Sequence, residues 1–350
     1  VKVLHVRNVN QALQEGLKYL YEHGVREDSR AGPVLVSPVP VTTVYSHPQE
    51  RVLFSAARDA NPVFHLMESL WLLAGRNDAR WLDQFVHDFS LRFAEEDGTL
   101  HGSYGYRWLH HFEMEGGGHP NPRMPNQLSM IASMLTKNPQ DRQAVLTMWD
   151  PVSDLGIPVR DKPCNTHCYF RVRRIHYLSD NSDNRVLDIT VCCRSNDLIW
   201  GLAGSNAVQF AFLQEYLAAR IGVGVGTYYQ ISNNFHAYLD VLDKLEGKAI
   251  LEEGYTKDYP GEVVPLVKDP NRFDTDLHRF FAEGCVAAHT NGYANPFFTN
   301  IAVPLYWVHR NWKVKNIKTA LALLETVQDS DWRLSAEQWI SRRMSKKAMR

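Results

Sequence analysis

The sequence predicts an α+β protein with a mixed β-sheet, flanking helices and a further helical part at its C-terminal end. Three observations predict it. Apolar residues recur at helical spacing in two N-terminal stretches, at 11–25 and 61–75. From residue 143 the pattern changes to short runs rich in β-branched and aromatic residues, the composition of strands. After about residue 270 helical patterning returns. No internal repeat or composition break divides the chain. Residues 1–270 are therefore expected to form one main domain, with residues 271–350 as helices packed on it.

In "QALQEGLKYLYEHGV" (11–25), Leu13, Leu17, Leu20 and Tyr21 share a helical face, and Gly24 stands where a C-cap belongs. "NPVFHLMESLWLLAG" (61–75) starts near Pro62, which suits a first helical turn, and stops at Gly75. It is apolar almost all round, as a buried helix is, and Glu68 is conspicuous within it. "QAVLTMW" (143–149), "THCYFRVRRIHY" (166–177) and "RVLDITVCCRS" (185–195) read as strands, the last two joined by a turn at "SDNSDN" (179–184). "NAVQFAFLQEYLAARIG" (206–222) is a long apolar helix, and "GTYYQISNNFHAYL" (226–239) reads as one more strand. Helical patterns follow at 314–327 and 336–343, while the breaker cluster "EMEGGGHPNP" (113–122) reads as an exposed loop.

With 350 residues the chain can bury a sizeable core. Its 38 Lys and Arg against 39 Asp and Glu leave no bulk field that recommends nucleic acid or a membrane surface as partner, although a few arginines suffice for a local anion site. No apolar run approaches the ~18 to 20 residues that span a bilayer, and no leader-like segment opens the sequence. Five cysteines, two of them adjacent, do not resemble a disulfide framework, so free thiols in a reducing cytoplasm are expected.

Polar groups gather in three otherwise apolar places. Pro163 and Cys164 open a strand; Arg194, Ser195, Asn196 and Asp197 close another, ahead of Asn206 at a helix start; His236 and Tyr238 stand at strand spacing and share a face. For an anionic substrate with a polar ring, Arg194 and Ser195 supply phosphate donors. Asn206 sets a donor beside an acceptor, the pattern that reads an N–H next to a C=O. A thiol near Arg194 is expected to have its pKa lowered and to act as a soft nucleophile. Cys168, Cys192, Cys193 and Cys285 read as packed thiols. A zinc set of Cys164, His167, Cys168 and the Cys192–Cys193 pair is disfavoured, because a strand turns His167 away from Cys164 and Cys168; no metal is expected. Trp149 and Trp200 are expected in the core, and Trp108 suits either the core or a ligand wall.

In this order, "NPQDRQAVLTMWDP", "PC", "RSNDLIWGLAGSN" and "NNFHAY" resemble the landmarks of thymidylate synthases and their relatives, the phage deoxypyrimidine-nucleotide hydroxymethylases. Upstream, "HLMESLWLLAG" resembles the family's buried-glutamate helix and "DGTLHGSYGYRW" its Tyr-Gly loop, so the likeness covers roughly residues 10–245. The resemblance implies a thymidylate synthase-like fold, with residues 1–270 as the catalytic domain. It implies a pyrimidine deoxynucleotide monophosphate as substrate, 5,10-methylenetetrahydrofolate as one-carbon donor, and a homodimer with shared active sites. Cys164 would attack C6 of the base and turn C5 into the carbon nucleophile. Arg194 would sit by the thiol and the phosphate, Ser195 on the phosphate, Arg30 in "SRAG" likewise, and Arg142 in "QDRQ" would be lent by the other subunit. Glu68 would organise the proton relay and Tyr104 would lie near the C5 proton. Asp197, Gly201 and Trp108 fall on the folate side, and His236 with Tyr238 would hold the sugar 3′-hydroxyl. Asn206 matches the position that reads uracil, where relatives acting on cytosine carry aspartate, and so argues for dUMP. A phage-encoded member would work in the host cytoplasm.

The sequence also departs from the family pattern. Asn165 follows Cys164 where the family has histidine, and Gln143 replaces a second lent arginine, a change that weakens phosphate binding by about 1 to 2 kcal/mol. The loop before Asn206 is one residue longer. "HDFSLRFAEEDG" offers Phe89 and Phe93 where thymidylate synthases carry two tryptophans, and the chain ends "SRRMSKKAMR" in place of a short apolar sealing tail. These last two departures bear on one branch point. An exocyclic methylene on the base takes hydride in a sealed site and water in a wet one. The expected product is accordingly 5-hydroxymethyl-dUMP, the reaction of a deoxyuridylate hydroxymethylase. The alternatives are a thymidylate synthase making dTMP, a dCMP or CMP hydroxymethylase, and, because of Asn165 and Gln143, a catalytically silent nucleotide- or RNA-binding relative.

Overall fold

The computed structural model describes residues 1–113, 126–175, 184–245, 248, 258–285 and 292–348. The β-rich stretches form strands β1 (Lys2–Val6), β2 (Val25–Ser29), β3 (Gly32–Val36), β4 (Val41–Tyr45), β5 (Val145–Thr147), β6 (Asn165–Arg174), β7 (Arg185–Cys193), β8 (Asn196–Asp197), β9 (Gly224–Ser232) and β10 (Phe235–Tyr238). A six-stranded sheet runs β1-β4-β9-β7-β6-β5, and a four-stranded one runs β2-β3-β10-β8. The larger sheet is mixed, as predicted, with β1–β4 and β7–β9 parallel and the other neighbours antiparallel. The second sheet was not anticipated. The stretch 226–239 is two strands rather than one, because its Asn233 and Asn234 leave the large sheet: Asn233 N–H donates to Cys193 O, and Asn234 O accepts from Asn196 N–H.

Strand alternation gives the large sheet two unlike faces. Leu146, Cys168, Val191, Gln230 and Thr43 lie abreast across five strands, and each is fully buried. Their strand neighbours point the other way, where Val145 is 43% exposed, Tyr169 47% and Ile231 36%. The Ser205–Ile221 helix packs against β7 and β9 and meets the Pro62–Leu73 helix. Asn61 caps the latter by accepting from the Val63 and Phe64 amides, and Gly75 ends that segment in the left-handed region (φ 71°). Gly24 does follow the Val9–His23 helix, but in extended backbone (φ −67°). It is small for another reason: a Cβ there would press on Leu20 O and the Leu35 side chain.

The C-terminal helices Pro270–Ala282, Val303–Lys313, Ile317–Leu324 and Asp331–Ala348 share one apolar core with the sheet and the N-terminal helices. Phe212 of the long helix meets Phe297 and Trp332 edge-on. Arg51, fully buried, pairs with Glu215 at 2.7 Å and lies 4.0 Å over the Phe212 ring. Tyr259 donates to Asp331, and both Arg342 and Arg343 reach Asp59 at 2.9 Å. The loops expected at 113–122 and 179–184 lie outside the described residues, apart from Glu113 and Asn184.

Candidate active site

A cleft of ≈ 290 Å³ opens between the Pro62–Leu73 helix, the short Tyr104–Leu109 helix, the segment leading into β6, and the start of the Ser205–Ile221 helix. Cys164, Glu68, Tyr104, Ser195, Asp197, Gly201 and Asn206 all line it. Residues as distant in sequence as Glu68 and Asn206 are thus brought to one cleft by the two buried helices.

The thiol sits where β6 begins. Cys164 O accepts the Arg194 amide at 2.9 Å, and the Arg194 guanidinium folds back over the same segment. Its Nε donates to Pro163 O at 3.0 Å, its Nη2 to Lys162 O at 3.2 Å, and Nη2 lies 3.8 Å from Cys164 Sγ. The expected lowering of the Cys164 pKa does not hold on balance. Burial raises it, Arg194 pulls it down only in part, and the nearby Asp161 and Asp197 raise it further. Next in the chain, Asn165 is fully buried; its amide donates to Tyr104 Oη at 3.4 Å, and its Oδ1 accepts from Cys193 Sγ at 2.6 Å. The β6–β7 register slips between Asn165 and His167, a bulge that turns the strand end beside the thiol. The Tyr104 helix is anchored from behind by Arg107, which pairs with the buried Asp154 at 2.7 Å.

Carboxyls crowd the cleft. Burial raises the Glu68 pKa to about 7, offset in part by the side chains of Ser205 and Gln209, and its Oε2 meets no partner among the described residues. Asp197 Oδ1 accepts from the Ile199 and Trp200 amides, both at 2.7 Å, capping the helical turn at Leu198–Leu202. Asp197 Oδ2 is buried without a partner among the described residues, and burial raises that group as well. Unpaired buried acceptors are costly, about 1 to 3 kcal/mol each, so two of them in one cleft point to a ligand that brings donors.

Asn206 Nδ2 reaches Asn196 Oδ1 at 3.5 Å, and Asn196 in turn donates to Ser232 Oγ at 2.9 Å. Gly201 permits this approach: a Cβ there would collide with Asn196 Oδ1 and stand 3.0 Å from Asn206 Nδ2. His236 pairs in register with Asp197 across β10 and β8, and its ring meets that of Tyr238 edge-on at 5.5 Å. The pair thus adjoins the cleft rather than lining it. Arg30 lies exposed in the turn between β2 and β3, and Arg142 lies exposed ahead of β5; neither lines the cleft of its own chain.

Aromatic rings complete the lining. Phe89 and Phe93 tilt on each other at 5.0 Å and both face the cleft. Trp200, expected in the core, is instead 55% exposed in this lining, with Arg58 4.3 Å over its ring. The reason is the Leu198–Leu202 turn, which buries Leu198, Ile199, Gly201 and Leu202 and leaves Trp200 outward. Trp108 is corrected in the other direction. It is buried behind Tyr104 against Phe210, edge-on at 5.7 Å, and belongs to the core rather than to a ligand wall. Trp149 is half-buried, 5.8 Å from the Arg194 guanidinium. Cys168, Cys193 and Cys285 are packed thiols and Cys192 is half-buried. Sequence reasoning passed over Asp161 and Arg58; the signal for Asp161 was its place three residues before Cys164.

Among the described residues no three His, Cys, Asp or Glu side chains are grouped as metal ligands, and no helix is long and apolar enough to cross a membrane. Residues 11–259 match the thymidylate synthase family. The deoxyuridylate hydroxymethyltransferase of Pseudomonas phage M6 is 43% identical over 358 aligned residues, covering 98% of this chain and 95% of that protein. The enzyme of the same name from Bacillus phage SP01 is 34% identical over 57% of this chain and 50% of its own length. That of Delftia phage PhiW-14 is 26% identical over 67% and 61%. The chain belongs to the family of thymidylate synthases and deoxyuridylate hydroxymethyltransferases.

Proposed function

We propose that this protein transfers a one-carbon unit to C5 of dUMP and completes the reaction with water, giving 5-hydroxymethyl-dUMP. Cys164 adds to C6 of the base, and Arg194, clamped on the same backbone, holds the charge of the thiolate beside the substrate phosphate. Ser195 serves the phosphate. Asn206, fixed through Asn196, reads the N3–H and O4 edge of uracil. Tyr104 stands near the C5 proton, held by the Asn165 amide. Glu68, with its pKa near neutrality, carries a proton to or from the base edge.

The cleft fits the folate that the family uses. Asp197 Oδ2, without a partner among the described residues, is an acceptor for an N–H-bearing heterocycle, and Trp200, Phe89 and Phe93 offer flat apolar faces in the same cleft. When bound, 5,10-methylenetetrahydrofolate supplies the one-carbon unit at the oxidation level of formaldehyde. The single observation that carries the water branch is the openness of that aromatic wall. Trp200 is 55% and Phe93 39% exposed, and Phe89 and Phe93 stand in the stretch where thymidylate synthases carry two tryptophans. Arg342 and Arg343 tie the Asp331–Ala348 helix to Asp59, next to the Arg58 that lies over Trp200, which supports a helical C-terminal part packed beside the cleft.

The outward face of the six-stranded sheet, with Val145, Tyr169 and Ile231 on it, suits a second copy of the chain, packed sheet to sheet about a two-fold axis. Arg142 precedes β5 at the edge of this face, which supports its being lent to the partner's phosphate site. The experiment that tests the function is mass analysis of the nucleotide formed from dUMP and methylenetetrahydrofolate. A hydroxymethyl product with tetrahydrofolate released is expected. A methyl product with dihydrofolate would make the protein a thymidylate synthase, and absence of tritium release from [5-³H]dUMP, with dCMP and CMP inert too, would make it a silent binder.

A further inference from the structure

Asp161 lines the cleft with Glu68, Cys164 and Asp197, yet the roles above leave it unused. Its place is built. Gly102 lets the 161–163 segment lie directly on it: a Cβ there would stand 2.9 Å from both Asp161 Oδ2 and Pro163 N. The Gly102 amide donates to Asp161 Oδ2 at 3.1 Å, which fixes the carboxyl, while no donor among the described residues meets Oδ1. The other two carboxyls already have proposed roles, Asp197 toward the folate and Glu68 at the base edge, and each is held at one side. Asp197 holds two amides of its own turn, and Glu68 is engaged by Ser205 and Gln209. Asp161 is also three residues from the nucleophile on one short clamped segment, so the two groups keep a set distance.

We propose that Asp161 is the base that holds and deprotonates the water added to the exocyclic methylene. The proposal rests on the hydroxymethylase reading. In the step, the water oxygen bonds to the exocyclic carbon and its proton passes to the Asp161 carboxylate. The π pair of the exocyclic double bond moves into the ring as an enolate at C4. The enolate then expels the Cys164 thiolate and restores the C5–C6 double bond, and the proton on Asp161 passes to the thiolate, resetting both groups. Burial, which raises the Asp161 pKa from the usual carboxylate range, suits a group that takes up a proton.

The test compares wild type with Asp161→Asn and Asp161→Glu in three readouts: affinity for dUMP alone, single-turnover tritium release from [5-³H]dUMP with methylenetetrahydrofolate, and formation of 5-hydroxymethyl-dUMP. For Asp161→Asn, dUMP affinity and tritium release should stay within about twofold, while hydroxymethyl formation slows at least about tenfold. Protein carrying the mass of the methylene adduct on Cys164 should accumulate. Asp161→Glu, which keeps the carboxyl, should recover part of the rate. Hydroxymethyl formation by Asp161→Asn at the wild-type rate overturns the proposal and leaves the hydroxymethylase reading standing. Equal loss of dUMP affinity in both variants overturns it too, as a purely structural role. A methyl product from the wild type overturns the reading beneath it and the proposal with it.

Discussion

The two walls of the cleft are built to different standards. On one, four polar side chains are tied to backbone or to another buried group: Arg194 to Pro163 O and Lys162 O, Asp197 to two amides, Asn206 to Asn196, and Tyr104 to the Asn165 backbone amide. Arg194 follows β7, Asp197 ends β8, Asn206 stands in the first turn of the buried Ser205–Ile221 helix, and Tyr104 opens the Tyr104–Leu109 helix. In the aromatic part of the lining, Phe89 and Phe93 stand on a five-residue helix with no buried residue, and the Trp200 ring juts outward from the turn that Asp197 caps. The difference separates two parts of the proposed chemistry. Attack at C6 and bond formation at C5 need groups placed within tenths of an ångström, which the firm wall supplies. The fate of the methylene depends only on whether water is kept out, and that rests with the open wall.

The largest expected effect comes from breaking the firm wall at its nucleophile. Cys164→Ser should lower tritium release from [5-³H]dUMP by at least about a thousandfold, with dUMP affinity nearly unchanged, because the oxygen is a far weaker nucleophile in the same shape. Release near the wild-type rate would remove Cys164 from the chemistry. A smaller effect is expected where the firm wall reads the base. Asn206→Asp exchanges an amide for a carboxyl on the residue that approaches Asn196, and should move the dUMP-to-dCMP preference by about a hundredfold toward cytosine. An unchanged ratio would put base choice elsewhere.

Much of the firm wall was legible in the sequence, and the open wall much less so. The strands from 143 onward and the helices at 61–75 and 206–222 show their periods plainly because one face or all faces are apolar. β2 escaped notice because every residue of "VREDS" is exposed, so no alternation is printed in it. Trp200 was misplaced because its direction depends on a turn, not on a repeating pattern. The sign of the Cys164 pKa shift was missed for a related reason: Arg194 is visible as a neighbouring charge, whereas burial and the opposing Asp161 and Asp197 exist only in three dimensions.

Sharing between subunits can be tested without touching either wall's geometry. Cys164→Ser and Arg142→Glu homodimers should each be inactive. After subunit exchange at equal amounts, half the dimers are mixed and each holds one intact site, so about a quarter of wild-type activity should return. No return, with exchange demonstrated by mass labels, would make each site self-contained.

The smallest change is the one that sharpens the contrast between the walls. Phe93 tilts on Phe89 and is 39% exposed, so a larger ring has room to extend over the cleft mouth. Phe93→Trp should leave tritium release within about twofold, since the firm wall is untouched. It should lower the hydroxymethyl yield per turnover a few-fold and allow some methyl product, because an indole excludes water from the methylene for longer. The ratio of the two nucleotide masses reads this directly. If release is normal and the hydroxymethyl fraction does not move, the aromatic wall does not gate water. Control of the branch would then lie with whatever places the water, and the firm wall would govern both halves of the reaction.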